Sequence, residues 1–145
     1  MRVLVDTCVV IDAIQRREPF NREAEQIFLA AAKLLFDGFV SVKSMTDIFY
    51  LSHRLTHDTA KVKTILARIA SIFGILDTRA DDVMRAITSN TADFEDAVMI
   101  ETAVREKVDC IVTRNTEDYR LSSVRVLTPA ALIQMLTEYR SDDTE

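Results

Sequence analysis

Asp6, Asp47, Asp96 and Asp118 are the residues of this chain whose type and spacing could do chemistry. Asp6 follows the apolar run Val3-Leu4-Val5, and Asp47 closes Ser44-Met45-Thr46-Asp47. Asp96 closes Asp93-Phe94-Glu95-Asp96, and Asp118 lies just beyond Ile111-Val112-Thr113. In an open parallel sheet, residues just past the carboxyl ends of the strands converge on one crevice. Carboxylates gathered there repel one another, by roughly 4 kcal/mol per pair at ~4 Å and an effective dielectric of about 20. A hard cation such as Mg²⁺ or Mn²⁺ offsets that repulsion, because such ions take oxygen ligands and keep several waters. The pattern predicts a metal-dependent hydrolytic site.

The elements that must position these acids are legible from hydrophobic periodicity. Short apolar runs predict strands at Arg2–Val5, Phe39–Ser41, Ile75–Asp77, Asp109–Val112 and Val124–Leu127. Helical spacing predicts helices between them. Phe20, Ala24, Ile27, Phe28, Ala31 and Leu35 form one stripe; Met45, Ile48, Phe49, Ser52 and Leu55 form the next. Val62, Ile65, Leu66, Ile69 and Phe73 give a third, with Gly74 suited to its end. Ala80, Val83, Met84 and Ile87 mark a fourth helix, and Phe94 to Val104 is apolar on most sides, as in a helix buried against a sheet. Pro129 suits the first position of a last helix through Leu136. Strands alternating with helices predict an α/β/α sandwich of three layers around a parallel sheet of four to five short strands. Residues 1–140 read as one domain, and 141–145 as a polar, disordered tail.

The 145 residues suffice to bury a core without staples, and 48% hydrophobic with 28% charged residues is ordinary globular composition. No apolar run is long enough for a membrane span, and no leader pattern precedes Arg2, so a cytoplasmic location with no membrane partner is expected. Cys8 and Cys110 are the only cysteines and are expected as buried free thiols. A net charge of −5 disfavours non-specific nucleic-acid binding. Several of those charges belong to the acidic cluster, however, and Arg16, Arg17, Lys43, Arg54, Lys61, Lys63, Arg114 and Arg120 remain for a basic rim.

Each acid also has a plain structural role open to it. Asp6 is equally suited to capping the next helix, and Asp93 to capping the helix that Glu95 and Asp96 begin. Asp93 and Asp96 share a helix face, whereas Glu95 points elsewhere, toward a positioning or surface role. Thr7 can bond a neighbouring carboxylate. Thr113-Arg114-Asn115-Thr116-Glu117-Asp118-Tyr119 is an oxygen-rich loop at the edge where ligands gather. His53 and His57 lack partners for a zinc set. Gly38 and Gly74 are the only glycines, which excludes phosphate-binding glycine loops and a nucleophile elbow. A phosphoacceptor receiver would carry Lys after its last strand, where Leu127-Thr128-Pro129 stands; a haloacid-dehalogenase-type phosphatase would carry an acid at Cys8.

Val5-Asp6-Thr7, Ser44-Met45-Thr46-Asp47-Ile48, Asp93-Phe94-Glu95-Asp96-Ala97 and Val112-Thr113-Arg114-Asn115 with Asp118-Tyr119 together resemble a PIN domain, from Val3 to about Leu136. The resemblance implies a Mg²⁺- or Mn²⁺-dependent endoribonuclease of the VapC-like toxin type. Carried over by position, the catalytic acids fall on Asp6, Asp47, Asp96 and Asp118, with Asp6, Asp96 and Asp118 as metal ligands. Thr7, Asp93, Thr113, Arg114 and Asn115 would orient these acids or the substrate, Arg114 by contacting phosphate. Asp47 stands where the family usually has Glu, and Asn115 where many members have Asp. Both departures lower the reach or charge of the site and leave open a non-catalytic PIN-like module that binds RNA or protein. The family further implies an RNA substrate, a homodimer, and an antitoxin partner whose basic tail enters the acidic site.

Overall fold

The computed structural model describes residues 1–142. Five parallel strands, β1 (Arg2–Val5), β2 (Asp37–Ser41), β3 (Gly74–Leu76), β4 (Cys110–Val112) and β5 (Arg125–Leu127), form one sheet in the order β3-β2-β1-β4-β5. Seven α-helices connect and cover them: α1 (Thr7–Ile14), α2 (Asn21–Ala32), α3 (Val42–Thr56), α4 (Thr59–Ile72), α5 (Ala80–Thr88), α6 (Phe94–Arg105) and α7 (Pro129–Asp142). A single 3-10 turn, Thr116–Tyr119, follows β4. The three-layer α/β/α sandwich expected from the sequence is the fold.

Both sheet faces are covered, so the central strands are apolar throughout instead of alternating. Val3, Val5, Val40, Cys110 and Val112 face a core shared with Val9, Ile27, Ile48, Ile69 and Leu132 from α1, α2, α3, α4 and α7. Leu4, Leu76 and Ile111 point the other way, onto Met99, Ile100 and Ala103 of α6 and onto Tyr119. The near-continuous apolar character of α6 has this cause: it lies directly on the sheet. Helix α5 lies against α6 and is fastened there by Asp82, which is fully buried and receives hydrogen bonds from Arg105 and Thr102.

One local reading changes: Gly74 opens β3 instead of closing α4, while Gly38 sits inside β2. Both glycines are sites of close approach: a Cβ on Gly38 would lie 2.6 Å from the ring of Phe73, and one on Gly74 would lie 2.7 Å from the ring of Phe39. Ser141 and Asp142, expected in the tail, continue α7, and residues 143–145 lie outside those described. Among the described residues no helix is long and apolar enough to cross a membrane.

Candidate metal centre

The strand order reverses direction beside β1, between β1 and β4, and the crevice outside their carboxyl ends is where such sheets bind ligands. Val5 pairs with Val112, so the residues that follow them, Asp6 and Thr113, are neighbours. The Asp6 backbone N–H completes the ladder to the Val112 carbonyl at 2.9 Å. The Thr113 hydroxyl then donates to Asp6 Oδ2 at 2.8 Å, the Thr7 N–H donates to Oδ1 at 2.8 Å, and the Cys8 thiol donates to Oδ2 at 3.4 Å. Asp6 thus both caps α1 and faces the crevice; the two readings of it are compatible. Burial raises its pKa above the ordinary carboxylate value, against the pull of these hydrogen bonds. Cys8 is held as a thiol, its pKa raised to about 11 by burial and by the charge of Asp6.

Asp96 reaches the same cavity from the first turn of α6, and Asp93, the N-cap of that helix, accepts the Asp96 N–H at 3.0 Å. Burial, then the charges of Asp6, Asp93 and Asp118, push the Asp96 carboxyl up to about 7. A helix N-terminus ordinarily stabilises a carboxylate. Here burial and like charges win. The cavity measures about 440 Å³ and gathers six acids, Asp6, Asp47, Asp93, Glu95, Asp96 and Asp118, against two bases, Arg17 and Lys43.

The remaining expected residues divide. Asn115 and Asp118 line the cavity from the 3-10 turn and its cap, both exposed. Thr113 is fully buried and donates to Asp6; its oxygen also accepts the Asn115 N–H at 3.1 Å. The Thr7 hydroxyl bonds no acid: it donates to Ser44 Oγ at 2.8 Å and ties α1 to α3. Arg114 turns away from the cavity. Its guanidinium donates to both oxygens of Asp12, at 2.8 and 3.2 Å, and lies 4.0 Å from the centre of the Phe20 ring. Glu117, a surface residue, pairs with Arg120. His53 stacks on Phe49 and His57 closes α3 in a left-handed conformation, so neither addresses the site.

Tyr119 and Asp12 had escaped the sequence reading, and Lys43 and Arg17 had been read only as members of a basic rim. Lys43 bonds Asp47 and, at 3.1 Å, Glu95, which therefore faces the cavity instead of the far surface. The Lys43–Asp47 spacing of four residues on a helix was the available signal. Burial works against the Lys43 charge, but the hydrogen bonds and charges of Asp47 and Glu95 prevail and raise its pKa. Tyr119 lies under the site with its hydroxyl buried and no partner at hydrogen-bond geometry, while burial and the charges of Asp6 and Asp96 raise its pKa. Asp12 carried no distinguishing signal.

In donor chemistry the site suits a hard cation. All its free ligands are oxygens, and burial together with the charges of Asp6, Asp93 and Asp118 drives Asp96 far from its ordinary pKa. In spacing it is open: among the described residues, no three His, Cys, Asp or Glu side chains stand close enough to share one ion. Asp6, Asp96 and Asp118, the expected ligands, all line the cavity.

Residues 2–117 match the family model described as PIN domain. No curated protein matches the sequence. Among solved structures, the chain is similar to VapBC2 from Rickettsia felis bound to a promoter DNA fragment, with a TM-score of 0.69 and 16% identity over 88% of this chain and 98% of that one. A toxin–antitoxin complex from Klebsiella pneumoniae is similar with a TM-score of 0.65 and 23% identity, over 88% and 97% of the two chains. VapC20 of Mycobacterium tuberculosis, a sarcin–ricin loop cleaving toxin, gives 0.59 and 12% over 75% and 86%. Identities this low compare the fold alone.

Proposed function

Since this chain belongs to the PIN domain family, we propose that it is a Mg²⁺- or Mn²⁺-dependent endoribonuclease, the toxin of a toxin–antitoxin pair. The observation that carries the reading is the Asp6–Asp96 pair. Two acids from different elements face one cavity at the topological switch point, close enough that the charge of Asp6 disfavours that of Asp96. Asp6, Asp96 and Asp118 would hold the ion. When bound, it lowers the pKa of its water toward neutrality and offsets charge building on the phosphate.

The chain's own residues do the rest. Thr113, the Thr7 N–H and Cys8 hold the Asp6 carboxylate in one orientation, so it is set before any ligand arrives. Asp93 fixes the first turn of α6 and hence the direction of Asp96. Arg17, which lines the cavity, would contact RNA phosphate, and Asn115 would offer an uncharged amide to the same cavity.

The excess of acids suits a basic segment of an antitoxin, as the toxin–antitoxin complexes among the similar structures suggest by their names. A homodimer and a cytoplasmic location are part of the same proposal. Cleavage of RNA with Mn²⁺, its loss with EDTA and its loss in Asp96→Asn test the reading together. RNA binding without cleavage under any of these conditions would make the chain a binding module instead.

A further inference from the structure

Within the cavity, one positive charge is already built in. Lys43 projects from α3, and its ammonium bonds Asp47 on its own helix and Glu95 on α6, so it spans the two helices that wall the site. A surface lysine paired at i,i+4 would stay on its own helix and remain in water. This one is 27% exposed and reaches across to a second helix. Asp47 is one methylene shorter than Glu, and its carboxylate rests on Lys43.

Resting on the ribonuclease reading above, we propose that Lys43 is the resident second cation of the site: it withdraws Asp47 and Glu95 from metal binding, restricts the chain to one divalent ion on Asp6, Asp96 and Asp118, and lends its charge to the substrate phosphate. A second divalent ion at Asp47 would have to displace the ammonium or sit beside it, and like charges at contact distance repel strongly in a partly buried site. Neutral Asn115, which also lines the cavity, adds no further anionic ligand. Asp47 then acts as the residue that holds Lys43 in place.

Manganese titration by calorimetry of the full chain, Lys43→Gln and Lys43→Arg tests this, with circular dichroism to confirm folding and single-turnover cleavage on the same samples. The wild type should bind one ion. Lys43→Gln frees two carboxylates and removes an opposing charge, so it should bind Mn²⁺ about tenfold tighter or take a second ion, while its cleavage rate falls. A merely structural lysine would not move these two readouts in opposite directions. Lys43→Arg should keep the single ion and recover part of the rate. Two ions on the wild type, or equal affinity and stoichiometry in wild type and Lys43→Gln, overturn the inference while leaving the metal-dependent reading intact. Should Lys43→Gln not fold, the wild-type stoichiometry decides. No Mn²⁺ binding to any of the three chains overturns both.

Discussion

Asp12 and Arg114, 102 residues apart in sequence, form a two-pronged ion pair that locks α1 to the loop after β4. Asp12 is 2% exposed, and Arg114 covers it while packing on Phe20. The pair braces the two segments that carry Asp6 and Asp118 without entering the cavity between them.

Arg114→Ala therefore tests a brace and not a phosphate contact. It strands a buried carboxylate, and we expect a loss of roughly 3 kcal/mol, the low end for a broken buried pair because Arg114 itself is partly in water. Urea denaturation measures this. The salt dependence of RNA binding should keep its slope; a flattened slope with unchanged stability would return Arg114 to the substrate side.

Arg17 carries the opposite expectation, since it lines the cavity. Arg17→Ala should weaken RNA binding and reduce the slope of log affinity against log salt by about one, as one phosphate contact is lost. Stability should change by less than ~0.5 kcal/mol, as for an ordinary surface substitution. Filter-binding titrations at several salt concentrations decide.

The pH dependence of stability follows from Asp96. Its carboxyl titrates near 7 in the folded chain and near 3.8 when unperturbed, so between those values the folded state holds the extra proton. Stability from this group is full below about pH 4 and is lost as pH rises through about 7. Asp6, also raised, adds in the same direction. Metal-free wild type should thus melt lower at pH 8 than at pH 5, and Asp96→Asn should flatten this dependence and match or exceed wild type at pH 8. Cleavage should meanwhile fall about 100-fold or more, beyond the ~10–100-fold typical of groups that only orient a ligand. A steeper fall in metal-free stability for Asp96→Asn would show that the carboxylate mainly supports the helix.

Divalent ions should reverse that repulsion. At 100 times its dissociation constant, Mg²⁺ or Mn²⁺ stabilises the fold by about 2.7 kcal/mol. The resulting rise in Tm should be larger at pH 8 than at pH 5, where Asp96 holds its proton. An unchanged Tm at both values argues against a metal site.

Thr113→Val removes one hydrogen bond to Asp6 while keeping the side chain's shape. Leaving the buried oxygen short of a donor costs about 1–3 kcal/mol. Loss of orientation should reduce cleavage ~10–100-fold. Thr7→Val, whose hydroxyl bonds Ser44 instead, is the control that should spare the rate.

The alternation of strand and helix, the positions of Asp6, Asp96 and Asp118, and the capping by Asp93 were all determined locally. Apolar period and cap chemistry act within a few residues, so they are written in the sequence itself. What Lys43, Glu95, Arg114 and Asp12 do was decided by tertiary structure. A long charged side chain can reach several partners, and which one it meets depends on the crossing of α3 with α6 and of α1 with the β4 loop. Glu95, one step round the helix from Asp96, was read as having a positioning or surface role; Lys43, from another element, holds it over the cavity. Arg114 sits two residues past the end of β4 and was expected to face substrate. The buried Asp12 claims it instead, because a desolvated carboxylate gains more from a fixed guanidinium than an open crevice does.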